Sequence, residues 1–126
     1  MLYVNEILGA SFCLFSVILG AFTSHYLKKI IPYSAIQSFE VGVRYLMYHG
    51  LVLMIVPQFY LDINPLVFKF FVIGTCVFSF SIFFLSIKSL IKINLKWLGP
   101  LTPVGGAILI IAWFFLLIEL INPFIN

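Results

Sequence analysis

Glu40, Arg44 and His49 fall within one run, Ser34 to His49 (SAIQSFEVGVRYLMYH), in a chain that otherwise reads as hydrocarbon, short connections and lysines. Glu40 and Arg44 are four positions apart with the acid nearer the N-terminus, the favourable order for an ion pair on one helix face. In water such a pair contributes about 0.3–0.5 kcal/mol. At membrane depth an arginine costs at least about 2.5 kcal/mol, so neither partner would be tolerated alone. One reading is a gate or a binding site for an anionic headgroup or small ion. The other, which we favour from the sequence, is an interfacial ion pair that stitches the helix to its neighbours.

His49 lies nine positions beyond Glu40, roughly half a turn around a helix at about 100° per residue, so the two cannot share one face. Gly42, Tyr45 and His49 do share one, and Gly42 leaves room for a partner helix beside Tyr45. His49 could relay protons or ligate a metal. The favoured reading is a neutral imidazole bonded to a backbone carbonyl or to a serine of the next helix. His25 falls near the end of the first apolar stretch, where positive charge suits a helix C-terminus. The candidate polar or ligand site is therefore Glu40, Arg44, Tyr45, His49 and His25.

Other chemistry is poorly supported. Two histidines on separate helices, with no nearby cysteine pair, lack the ligand spacing of a zinc site, so no metal is expected. Cys13 and Cys76 read as small apolar residues within the spans rather than as a redox couple. The chain has only four carboxylates, no Ser/His/Asp order and no phosphate loop. We expect no enzyme activity and no cofactor.

These residues must be held by elements suited to lipid. Of 126 residues, 63% are hydrophobic and 9% charged, against about 25% charged in a soluble domain. With a mean hydropathy of +1.21, the chain is expected to be an integral membrane protein of one domain, residues 1–126. The net charge of +3 is a topology signal, not a nucleic-acid footprint. The fold class is all-α, an integral membrane four-helix bundle.

Helices are expected at about 5–26, 34–60, 65–87 and 102–121, each near or above the roughly 20 residues that cross a hydrocarbon core of about 30 Å. Met1 to Glu6 holds no Lys or Arg, and Lys28-Lys29 follow the first apolar run, so that helix reads as retained and not as a cleaved signal peptide. Gly9, Cys13, Ser16, Gly20 and Ser24 line one of its faces with small side chains, the form of a helix-packing seam. Gly42, Gly74, Gly105 and Gly106 are read the same way. Gly105-Gly106 could instead present free N–H groups to an anion, the less favoured alternative.

Ser34 with Gln37 has the form of a capping box, while Asn64-Pro65 and Thr102-Pro103 each read as a cap followed by proline. The second helix is about 10 Å longer than the core it must cross. With Tyr60 at the outer interface, Glu40 lies at the inner one, and His49 about 13 Å deeper. Connections one and three carry Lys28, Lys29, Lys88, Lys92 and Lys96, whereas the second has only Lys69 near it. The positive-inside rule then puts both termini outside, in a membrane of inner-membrane type.

The residues also carry a resemblance. Gly20-Ala21-Phe22 with His25, then Phe39, Gly42, Tyr45 and His49, resemble the first half of the domain of unknown function 423 family. That family includes small bacterial inner-membrane proteins and eukaryotic transmembrane protein 256. Gly74-Thr75, Phe78-Ser79 and Ser81 resemble its third-helix motif; Thr102-Pro103-Val104-Gly105-Gly106 with Trp113 resembles its fourth. The chain departs from the pattern at Thr23-Ser24 for Gly-Ala, at Leu46 for Gln, and at Phe80 for Gly. The resemblance implies a four-helix membrane protein and supplies no activity.

The expected function is that of a small non-enzymatic membrane protein, an accessory subunit of a complex or a homo-oligomer. The alternative is a carrier or channel for a small solute, ion or lipid. Expected partners are membrane lipids and other membrane subunits or copies of itself, with no nucleic acid.

Overall fold

A computed structural model of the protein describes residues 3–59 and 61–125, and side chains up to Pro123. Among the described residues, four helical spans are long and apolar enough to cross a membrane. Helix α1 is Val4–His25, followed by a 3-10 turn at Leu27–Lys29. Helix α2 is Tyr33–Ile55, extended by a 3-10 turn at Val56–Gln58. Helix α3 covers Pro65–Ser86, and α4 is Leu101–Ile125. Tyr60, the expected outer end of the second helix, lies outside the described residues.

The helix starts follow local chemistry, though only one of three expected caps forms. Asn64 accepts a hydrogen bond from Leu66 N–H at 3.0 Å, with Pro65 at the first helical position. Ser34 does not cap α2: Pro32 occupies that place and offers no side-chain bond. Nor does Thr102 cap α4, which begins one residue earlier at Leu101. Its hydroxyl lies 2.7 Å from Ser81 Oγ on α3 instead.

Helix α1 packs along α2, α4 along α3, and α2 and α3 against each other. Half of the central window of α3 is buried, against 22% for α1 and for α4, so the first and last helices are the outer members. The shared core is tight, with Phe71, Leu46 and Leu53 wholly inaccessible. At the far end from the Lys-bearing connections, Gln58 Nε2 donates to Glu6 Oε1 at 3.1 Å, tying the end of α2 to the start of α1.

Helix α3 is interrupted by a π-helical turn at Cys76–Phe80, where it meets both neighbours. A wide turn of this kind inserts a residue and re-aims the side chains around it. Ser79 Oγ there donates to Gly42 O on α2 at 2.9 Å, and Ser81 Oγ donates to Phe78 O at 2.9 Å. Ser81 has one hydroxyl proton and has used it, so Thr102 is the donor in the Ser81–Thr102 bond.

Close backbone approach explains some of the glycines. A Cβ on Gly9 would stand 2.5 Å from Gly50 O, and one on Gly50 would stand 2.8 Å from Gly9 O, so this reciprocal pair sets the α1–α2 distance. A Cβ on Gly105 would meet the Phe78 backbone, its Cα at 2.7 Å, in the π-helical turn. Gly42 faces the Phe83 ring at 2.6 Å and Gly74 faces Ile108 and Leu109 at 3.0 Å. The seam expected from Gly20 and Ser24 is different in detail. Gly20 has only Val43 at 3.6 Å, Gly106 has only Phe78 ring atoms from 3.7 Å, and Ser24 is exposed while Thr23 turns inward.

Gly105→Ala should therefore lower stability by about 1–3 kcal/mol, because the backbone it strikes cannot move aside as a side chain can. Gly20→Ala should match or exceed the parent, since the added methyl fits and alanine favours a helix by up to about 1 kcal/mol over glycine. Thermal unfolding in detergent compares the two directly. Equal losses for both would show that the packing seam is misplaced.

Candidate functional site

Gly42, Tyr45 and His49 lie along one face of α2, as their spacing requires, and the structure closes that face with α3 and α4. His49 is only 3% exposed. Its Nδ1 lies 2.7 Å from Tyr45 O, one turn back on the same helix, and its Nε2 lies 3.1 Å from Trp113 Nε1 on α4. An indole N–H can only donate, so Nε2 is the acceptor. The proton then sits on Nδ1, which donates to the Tyr45 carbonyl. Both ring nitrogens are satisfied only by the neutral form in this one tautomer.

The rings around His49 hold that tautomer in place. Phe71 lies against it at a centroid distance of 5.8 Å, Trp113 packs edge-on at 6.0 Å, and Tyr45 stacks obliquely on Phe78 at 4.6 Å. Phe71 and Trp113 meet nearly perpendicularly at 5.2 Å, the edge-to-face arrangement that aromatic quadrupoles favour. Outside this cluster a crevice of about 640 Å³ opens between α2 and α4, with Tyr48, Leu51, Gly106 and Ile110 on its walls. Its lining is apolar apart from Tyr45, Tyr48, His49 and Trp113, and the imidazole forms part of its floor.

The remaining candidates are not gathered here. Glu40 is half-buried and Arg44 exposed, and among the described residues no cation lies within 4.0 Å of a carboxylate. The interfacial Glu40–Arg44 pair expected from their spacing is therefore not formed, and Arg44 extends away from the bundle as a long, flexible side chain can. His25 is exposed in the last turn of α1, on a helix that touches α2 by its other face. Among the described residues no group of three His, Cys, Asp or Glu converges as a metal would need.

Sequence reasoning found His49 but not its partner. Trp113 is 64 positions away, and only the packing of α4 brings its indole to the imidazole. It also missed the hydroxyl stitching on both sides of α2. Ser16 Oγ on α1 donates to Val43 O at 2.8 Å, next to the Gly42 carbonyl that Ser79 engages from α3. The signal was present as Ser16 within the small-residue seam, but spacing cannot tell a hydroxyl that donates across helices from one that is merely small.

Chemically, the arrangement is closed. The imidazole is neutral, bonded at both nitrogens and walled by rings, and Ser16, Ser79 and Thr23 spend their hydroxyl protons on backbone carbonyls. This defines an all-α polytopic membrane protein in which most buried hydroxyls of the spans are bonded to backbone carbonyls. Residues 19–106 match the family described as Protein of unknown function (DUF423), and the chain belongs to that family. It is 36% identical over 123 residues to the UPF0382 membrane protein YwdK of Bacillus subtilis, covering 92% of this chain and 94% of that one. It is 34% identical to the UPF0382 membrane protein SAB0533 of Staphylococcus aureus, over 89% of this chain and 90% of the other. A yeast relative, the UPF0382 membrane protein C1782.12c of Schizosaccharomyces pombe, is 33% identical, over 83% of this chain and 91% of its own length. No solved structure matches.

Trp113→Phe keeps the ring packing but removes the donor to His49 Nε2. It should lower stability by about 1 kcal/mol, in the range of hydrogen bonds inside membranes. Nitrogen-15 NMR of the parent at pH 7 should show a protonated Nδ1 and a bare Nε2. An imidazolium signal, or the opposite tautomer, would contradict this geometry.

Proposed function

We propose that this is a non-enzymatic membrane protein that acts by assembly, as an accessory subunit of a larger membrane complex or as a homo-oligomer. The observation that carries this is the closed state of His49. The deepest ionisable side chain of the described bundle has no free lone pair and no exchangeable partner with which to relay a proton or hold an ion. The core beside it is filled by Phe71, Leu46 and Leu53, so a single bundle offers no aqueous path. What remains for function is its faces.

Native mass spectrometry of the full chain, extracted in gentle detergent, tests this reading. A stoichiometric foreign subunit or a defined homo-oligomer is the expected result. A monomer that supports proton or solute flux in liposomes would overturn it. The carrier reading has one observation in its favour, the crevice of about 640 Å³ between α2 and α4, which is large enough for part of a lipid or a small apolar solute.

We further propose an inner-membrane location with both termini outside. Lys28, Lys29, Lys88, Lys92 and Lys96 cluster on connections one and three, which supports a cytoplasmic placement for that end. A cysteine introduced at Asn94, an exposed position in connection three, should react with an impermeant reagent only after the membrane is opened. Reaction in intact cells would reverse the orientation.

A further inference from the structure

At the lysine-bearing end of the bundle, a cavity of about 540 Å³ lies between the start of α2, the end of α3 and the start of α4. It is separate from the crevice at His49 and shares no lining residue with it. Its polar lining includes Ser34, Ser38, Lys88 and Thr102, and its apolar lining includes Val41, Ile82 and Leu85. Ser34 and Val41 are seven residues apart on α2, so the lining turns from polar to apolar over about 10 Å along that axis.

Ser86 is the unusual member of the lining. It is 6% exposed, yet its buried Oγ has no hydrogen-bond partner. A buried hydroxyl without a partner costs about 1–3 kcal/mol, and four of the other five buried Ser and Thr hydroxyls among the described residues, those of Ser16, Thr23, Ser79 and Ser81, donate to a carbonyl. Thr75 Oγ1 is also unpartnered, but it lies in close packing and lines none of the cavities described here. The first turn of α2 adds free donors on the same side. Its first backbone acceptor contact is Ile36 N–H to Pro32 O, and no side chain caps the residues before it. Lys88 supplies the full positive charge.

The depth is also informative. Tyr33, 74% exposed, adjoins Ser34, and Trp97, 65% exposed, lies two positions before Gly99 of the lining. Exposed Tyr and Trp at the end of a span sit at headgroup level. Glu6, Asp62 and Glu119 are toward the opposite end of the bundle, and the one carboxylate toward this end, Glu40 beside Val41 of the lining, is outnumbered by the five lysines.

We propose that this cavity seats the headgroup phosphate of an anionic phospholipid. Lys88 and the uncapped N–H groups of α2 face the phosphate, the Ser86 hydroxyl donates to it or to a headgroup oxygen, and the glycerol end of an acyl chain lies along Val41, Ile82 and Leu85. A free phosphate would satisfy the donors but leave the apolar wall unused, which is why the lipid is the favoured source of the same anion. This site is independent of whether the protein assembles with a partner.

The test is native mass spectrometry of the full chain in detergent, titrated with phosphatidylglycerol or with phosphatidylcholine. One phosphatidylglycerol per chain should be retained, at least about tenfold more tightly than the zwitterionic lipid. Lys88→Gln should weaken it about tenfold and Ser86→Ala about threefold, by loss of a charged and of a neutral hydrogen bond. Lys92→Gln, off the lining, should change it less than about twofold. Both substituted sites tolerate the change: Lys88 is exposed, and alanine fits where serine does. Equal binding of the two lipids, or equal losses for Lys88→Gln and Lys92→Gln, would overturn the site. Displacement of the lipid by millimolar inorganic phosphate would overturn the lipid as its occupant.

Discussion

Two adjacent carbonyls of α2, those of Gly42 and Val43, accept hydroxyl protons from opposite sides, one from Ser79 of α3 and one from Ser16 of α1. In hydrocarbon no water is available to take up a stray donor, and lipid tails are as apolar as leucine, so helices gain little from hiding apolar faces. Association must come from close contact and from bonds of this kind. Bonds across a pair of helices average only about 0.6 kcal/mol in membranes. Their effect here comes from position, because they fix the height of both neighbours against one point of the central helix.

The same point explains why α3 carries a π-helical turn and why α4 meets it with a glycine. Ser79 reaches toward α2 while Ser81, two residues on, meets Thr102 of α4, so one short stretch of α3 must serve two neighbours. The widened turn Cys76–Phe80 provides that divergence, and Gly105 lets the α4 backbone rest on Phe78 within it. Once α4 is seated there, Trp113 falls two turns further along, at the height of His49. The histidine tautomer thus depends on a glycine contact well away from it.

Much of the fold was legible in the sequence because length, hydropathy and proline punctuation are local properties. Four spans, the Asn64-Pro65 start of α3 and the lysine-rich connections all follow from runs of residue types. What escaped notice depended on pairs brought together by packing. Gly9 and Gly50 need glycine because each faces the other, whereas Gly20, equally well placed in the pattern, meets only a valine methyl. Glu40 and Arg44 have the right spacing to pair, yet a flexible, exposed arginine loses side-chain entropy by doing so and here does not. Thr102 looks like a cap in sequence, but a hydroxyl on a facing helix offers it a better partner than its own backbone.

The two ends and the middle of this bundle therefore have different chemical characters. In the middle, Ser16, Ser79 and His49 are bonded to neighbouring helices, Thr75 alone of the buried hydroxyls there has no partner, and large side chains fill the core. Toward the lysine-bearing end, the helices diverge enough to leave a hydroxyl and a helix start without partners beside a cation. Polar groups left unsatisfied in an otherwise economical membrane protein are informative, because hydrocarbon penalises them more than water would. Of the two unpartnered buried hydroxyls among the described residues, Thr75 is enclosed by packing, whereas Ser86 borders a cavity that Lys88 also lines.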